Sequence, residues 1–315
     1  MDEQEALVNA ILRLRRIRNK LVVLCEGDLL PLENGGAPSP QMYGRLGQMP
    51  DANFYKSCVP EDWHNYRLPQ FFNCGGRSQV LYVYGRLLER HQAAPDASYL
   101  SPEKLYALVD LDIQRDRMPE GYPWQTTEDV HAALYQDGVI NGDPGDGHRI
   151  WVTALIHKEA FFVLPPMAAA WADSATPFFD GGPLDLRVLH EAVAQRLTTD
   201  ADIAGNLDVV AARLARFKAG VALNCTDGES IRTAWRAAAT QAGVEQYDEL
   251  LRALLSVARV KPVWSQITPN PLRGAIMPAE NFRDQLALKV AGTIAKMAPD
   301  EHPLSYFFSW LKPRR

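Results

Sequence analysis

Glu26, Asp110 and Asp112 are the side chains whose type and placing point most directly to chemistry. Each follows a short apolar run. Leu21-Val22-Val23-Leu24-Cys25 leads into Glu26-Gly27, and Tyr106-Ala107-Leu108-Val109 leads into Asp110-Leu111-Asp112. Residues two apart in an extended chain point to the same side, so Asp110 and Asp112 can aim both carboxylates at one point. Carboxylates that close repel unless a proton or a cation lies between them. A hard divalent cation with oxygen ligands, Mg2+ or Mn2+, is the natural guest.

The elements that must position these acids read as a parallel sheet. The two runs are of strand length, rich in Val and Leu, and unbroken rather than alternating, as strands buried on both faces are. Ligand sites in such sheets lie beyond the carboxyl ends of the strands, where the acids stand. Further strands are expected over Arg67 to Cys74 and Arg149 to Ile156, the latter running into His157-Lys158-Glu159. Helices are expected over 3–19, where Leu7, Ile11 and Leu14 form a stripe, over Ser78 to His91, and over Thr127 to Gln136. A short helix begins near Asp51. Gly75-Gly76 reads as a turn that could also approach a phosphate. Asp28 to Pro50 holds Pro31, Gly35, Gly36, Pro38, Pro40, Gly44 and Gly47, so it reads as a long loop inserted at the mouth of the site. From Pro183 onward the pattern is helical: Leu184 to Leu197, Asp208 to Ala219, Ser230 to Ala242, Glu245 to Val260 and Asn281 to Met297. The aromatic cluster Tyr306 to Leu311 is expected to dock on the body. The fold class is therefore α/β, a Rossmann-like, mainly parallel sheet flanked by helices over 1–180, followed by a helical region over 181–315.

Composition narrows the function. The chain has 315 residues, 47% hydrophobic and 23% charged, as ordinary globular proteins do. A net charge of -5 argues against a protein that coats nucleic acid by charge alone. It leaves room for a nuclease with local basic patches such as Arg13 to Lys20, whose first reading is a solvated helix face, or Lys312 to Arg315. No apolar run approaches the roughly 20 residues that span a bilayer, and the start Met-Asp-Glu-Gln-Glu is acidic where a secretory signal is basic. Cys25, Cys58, Cys74 and Cys225 lack metal-site spacing and fit free thiols in a reducing cytoplasm. No P-loop sequence and no HExxH pair occur.

The order Glu26-Gly27, then Asp110-x-Asp112, each ending a hydrophobic strand, resembles the Toprim domain shared by topoisomerases, primases and nucleases of the OLD type. The Phe54-Tyr55 helix, Gly75-Gly76, and Glu159 before Phe161-Phe162 extend the likeness to the stand-alone Toprim effectors that accompany an ABC-type ATPase in anti-phage defence systems of the PARIS type. The resemblance covers the first half of the chain. It implies a Toprim-like catalytic domain in which Asp110 and Asp112 hold Mg2+ and Glu26 acts as general acid or base and as a ligand. Glu159 would be a further metal or water ligand, or simply a Glu favoured at a helix start. Lys158 and His157 are neighbours that could meet phosphate. The resemblance further implies a toxin-like endoribonuclease that cuts transfer RNA, is held inactive by its ATPase partner, and dimerises when a phage releases it. A DNA-nicking nuclease of the OLD type and a catalytically silent Toprim-like interaction subunit are the alternatives.

Overall fold

The computed structural model describes residues 3–29, 50–63, 68–141, 144–145, 147–172, 177–223, 225–271 and 277–312. Most of the loop expected over Asp28 to Pro50, part of the turn at 141–147 and the end of the C-terminal basic patch lie outside these residues.

Four parallel strands make the central sheet: β1 (Val22–Cys25), β2 (Gln70–Asn73), β3 (Leu105–Val109) and, further on, β6 (Ile150–Val152). Their spatial order is β2-β1-β3-β6. Cys25 pairs with Asn73 on one side and Leu108 on the other, and Val109 pairs with Val152, so the carboxyl ends are nearly flush. The chain moves from β1 outward to β2, then returns to the other side of β1 for β3. The order therefore reverses between β1 and β3, which is where sheets of this kind form a crevice for ligands. Every residue of β1, β3 and β6 is buried, which is why these strands show apolar runs instead of alternation.

Helices fill the crossovers. α1 (Glu3–Leu12) precedes the sheet, α2 (Pro50–Ser57) lies between β1 and β2, and α3 (Arg77–Ala93) between β2 and β3. α4 (Thr127–Leu134) follows β3, capped by Thr126, whose hydroxyl accepts from Asp129 N. α1 is shorter than its stripe predicts. The chain leaves it at Leu12, makes one 3-10 turn over Arg15–Ile17 that buries Ile17, and turns at Asn19 with φ 63. α4 likewise ends at Leu134, because β4 (Tyr135–Gln136) pairs with β5 (Val139–Ile140) in a small hairpin around Asp137-Gly138, both with positive φ.

Beyond β6 come α5 (Lys158–Phe162), α6 (Ala168–Ala172), and a second hairpin of β7 (Phe178–Phe179) and β8 (Gly182–Pro183). The helical region then contributes α7 (Leu186–Arg196), α8 (Ala201–Gly205), α9 (Leu207–Leu214), α10 (Gly228–Gln241), α11 (Val244–Leu255), α12 (Lys261–Trp264), α13 (Ala279–Ile294) and α14 (Pro303–Leu311).

This region closes back on the sheet. Phe71 of β2 meets Phe308 of α14 at 6.2 Å between ring centroids, Tyr106 of β3 meets Trp310 at 5.6 Å, and Trp151 of β6 meets Phe307 at 5.0 Å. Phe71, Tyr106 and Trp151 share one sheet face by register, so α14 covers that face. One continuous apolar core runs from Leu7 to Leu311. Cys25, Cys58 and Cys74 are buried free thiols and Cys225 is half-buried. Among the described residues no helix is long and apolar enough to cross a membrane.

Candidate active site

Glu26 and Asp110 are the residues that leave the carboxyl ends of β1 and β3, side by side at the reversal of strand order. Glu26 reaches across to β3, where its Oε1 accepts the backbone N–H of Asp110 at 2.7 Å. Burial pushes the Glu26 carboxyl up to about 7, a rise only partly opposed by that hydrogen bond and by Arg77. Burial, then the neighbouring Glu26, pushes Asp110 well above the ordinary carboxylate range. Its Oδ1 is buried and has no hydrogen-bond partner among the described residues. A half-satisfied buried carboxyl is costly, and here it stands beside a second one.

Asp112 is positioned differently from the expectation that it continues β3. The strand stops at Val109, and Asp112 has φ 35. The two-residue alternation that would place Asp110 and Asp112 on one side therefore does not operate. Asp is among the few residue types that tolerate this left-handed backbone. The Asp112 Oδ1 accepts from Ile113 N at 2.7 Å and lies 3.4 Å from Arg259 Nη2. Burial raises its proton affinity, but Ile113 N–H, Arg77, Arg259 and His157 outweigh it, and the net direction is downward.

Glu159, in the first turn of α5, is brought to the same cluster. Lys158 Nζ is 3.4 Å from its Oε1 and pairs still more closely with Asp51 of α2. Burial works against the Lys158 ammonium, yet Glu159, Asp51 and Asp110 outweigh it and its proton is held more tightly than usual. Burial opposes the ionised Glu159 as well, but Lys158 and His157 hold its carboxyl below the ordinary range. His157 is driven downward, mainly by burial, and its Nδ1 has no partner among the described residues.

Two buried arginines fix the backbone between these acids. Arg77, the first residue of α3, donates to Leu111 O at 2.6 Å and Gln114 O, and its Nε meets Asp116 Oδ2 at 2.6 Å. Arg213 of α9 is 1% exposed; it donates to the carbonyls of Leu111 and Asp112, to Ser256 O at 3.0 Å, and pairs with Glu128 of α4. Thr153 adds its hydroxyl, which accepts from Leu111 N at 3.0 Å. On the other flank Gly27 and Gly75 exchange both backbone hydrogen bonds, at 3.0 and 2.9 Å. Gly27 has φ 141, and a Cβ there would stand 2.4 Å from Asn73 Nδ2 and 2.5 Å from Asp51 Oδ2. The Gly75-Gly76 turn is thus a backbone clasp beside Glu26.

The sequence marks Asp51 only as the start of a helix and does not single out Arg77, Arg213 or Arg259. Arg77 directly follows the glycine pair, a signal of position only. Arg213 and Arg259 lie in the helical region, where no spacing connects them with the acids.

The donor set suits a hard cation in part. The orphaned Asp110 oxygen beside Glu26 is the kind of group a divalent ion satisfies. Asp112 and Glu159 are already held by Arg259 and Lys158. Among the described residues no group of three His, Cys, Asp or Glu side chains is arranged to hold a metal ion. A cavity of about 490 Å³ lies beside the cluster, lined by Asp51, Lys158 and Glu159 and by Lys261, Arg283 and Asp284 of the helical region; Glu26, Asp110 and Asp112 do not line it. Comparison with protein families, with curated proteins and with solved structures gave no match.

Proposed function

We propose that the chain is a metal-dependent nuclease that hydrolyses phosphodiester bonds in RNA, with transfer RNA as the first substrate to test. The observation that carries this reading is the Glu26–Asp110 pair: two carboxyls held together at the strand reversal, one with its proton affinity near neutrality and one with an oxygen that has no partner among the described residues. Asp110 and Glu26 would hold the ion, joined by Asp112 and Glu159. Bound Mg2+ supplies charge neutralisation at the phosphate and a more acidic water. Glu26, poised near pH 7, takes or returns the proton at its carboxylate. The Asp110 N–H fixes which Glu26 oxygen faces the site. Lys158, a cation at the wall of the cavity, orients a phosphate oxygen. Arg77 and Arg213 hold the loop carbonyls so that the acids do not drift. An ABC-type ATPase that restrains the chain until a phage triggers it, and a homodimer as the active form, belong to the same proposal through the resemblance in sequence.

The test is cleavage of total cellular RNA and of plasmid DNA by the purified chain, with Mg2+, with EDTA, and with Glu26→Ala. Discrete RNA fragments that need both the metal and Glu26 support the proposal; nicked plasmid alone moves the substrate to DNA. A second reading, a silent interaction module, draws on the pairing of Asp112 and Glu159 with the chain's own cations. It is supported if neither nucleic acid is cut with the ATPase partner removed.

A further inference from the structure

Each acid flanking the Glu26–Asp110 pair has a cation of the chain's own beside it, but the two cations are anchored differently. Lys158 is shared between Glu159 and Asp51, which line the same cavity. Arg259 follows α11 and spans two separate groups of acids. Its Nη2 is 3.4 Å from Asp112 Oδ1, whereas its Nε is 3.6 Å from Asp200 Oδ2 and its closest partner is Asp202. Asp200 caps α8, where it accepts from Asp202 N, so both acids are fixed at the start of that short helix. The Arg259 side chain is 29% exposed, and Asp112 and Asp202, the two acids its Nη2 meets, are about as open, so neither carboxylate is sealed from water. Arg77 and Arg213 bond carbonyls of the same loop; Arg77 acts on the Asp112 carboxylate only through space, without an ion-pair contact. Among the described residues Arg259 is the only cation in an ion pair with that carboxylate.

We propose that Arg259 is the chain's own counter-ion for Asp112, displaced onto Asp200 and Asp202 when a divalent cation enters, so that Arg259 sets the affinity of the site for Mg2+ or Mn2+. The inference rests on the metal-dependent reading above. A guanidinium cannot lose its charge in a protein, so it opposes a dication at Asp112 for as long as it stays there. The longer contact to Asp112 and the shorter one to Asp202 make the displacement a small movement. The helical region thereby tunes a site whose acids all lie in the α/β region.

The test is direct Mn2+ binding to the full-length chain, read by electron paramagnetic resonance of the free ion, with the Mg2+ midpoint for RNA cleavage beside it. Removing a unit charge a few ångströms from a dication in a half-exposed site changes affinity by roughly 10-fold. Arg259→Gln is expected to bind Mn2+ about that much more tightly, and Arg259→Lys to stay within about 3-fold of the parent. Asp202→Asn is expected to shift binding the other way, because the guanidinium loses its receiving partner. A residue that only supported the fold would not produce tighter binding or opposite signs in the two variants. Unchanged or weaker binding in a folded Arg259→Gln chain overturns the inference alone. A parent chain that binds no Mn2+ overturns both it and the nuclease reading. Tighter binding in Arg259→Gln, with no cleavage by the parent chain, keeps the inference and removes the nuclease.

Discussion

Glu26 keeps its proton into the neutral range because burial outweighs the single N–H that Asp110 gives it. This has a measurable sign. Its folded-state proton affinity lies above its unfolded one, so its contribution to stability is complete below the ordinary carboxylate range and is lost as pH rises through about 7. Glu26→Gln removes that loss. In EDTA, the variant and the parent should melt together near pH 4, and the variant should melt roughly 2–6 °C higher at pH 8.5. Melting curves whose difference does not change with pH would remove the burial argument. The identities of the site acids were legible in the sequence, since Glu26 and Asp110 each close a strand that shows as an apolar run. The geometry of Asp112 was not. Its φ of 35 and its attachment to Arg259 depend on where β3 stops and on a residue 147 positions later, and neither leaves a local pattern.

The elements bring these side chains together through close backbone approach. β1 and β2 run on past Cys25 and Asn73 into the Gly27–Gly75 clasp, and α2 is seated so that Asp51 sits over Gly27. Gly27→Ala must therefore displace Asn73 or Asp51 as well as strain the backbone. It should cost about 1–3 kcal/mol in urea unfolding, whereas Gly121→Ala, at φ 78 with nothing near a new Cβ, should cost only the backbone share. Equal losses at the two positions would mean that the close approach is unimportant. The four central strands and the long helices were legible from runs and stripes, because burial on both faces and one-sided burial leave different periods. The strands came out shorter than those runs: Ile150–Val152 replaces Arg149 to Ile156, since Thr153 to Ile156 turns away to meet Leu111, Asp112 and Leu255. Short elements such as α6, α8, α12 and the two hairpins were missed, because two to five residues carry too little pattern.

At the scale of the molecule, the helical region and the sheet share one core. α14 covers the sheet face that carries Phe71, Tyr106 and Trp151, and Arg213 reaches the acidic loop from α9. Residues 1–180 expressed alone should consequently lack a cooperative unfolding transition, because a large aromatic face is left in water. Within the full chain, Arg213→Met strands Glu128 and the carbonyls of Leu111, Asp112 and Ser256. It should cost about 3–5 kcal/mol, read as a lower denaturant midpoint. A sharp transition for 1–180, or an unchanged midpoint for Arg213→Met, would show the two regions to be independent.

The late position of both arginines has a consequence in time. Asp112 leaves the ribosome 101 residues before Arg213 and 147 before Arg259, an interval of ~5–30 s at ordinary elongation rates. α14, which seals the sheet, is made later still. A growing chain, or one cut short between Glu159 and Leu207, carries every acid of the site and lacks both arginines that set their geometry. Assembly of the site is thus deferred almost to the end of synthesis.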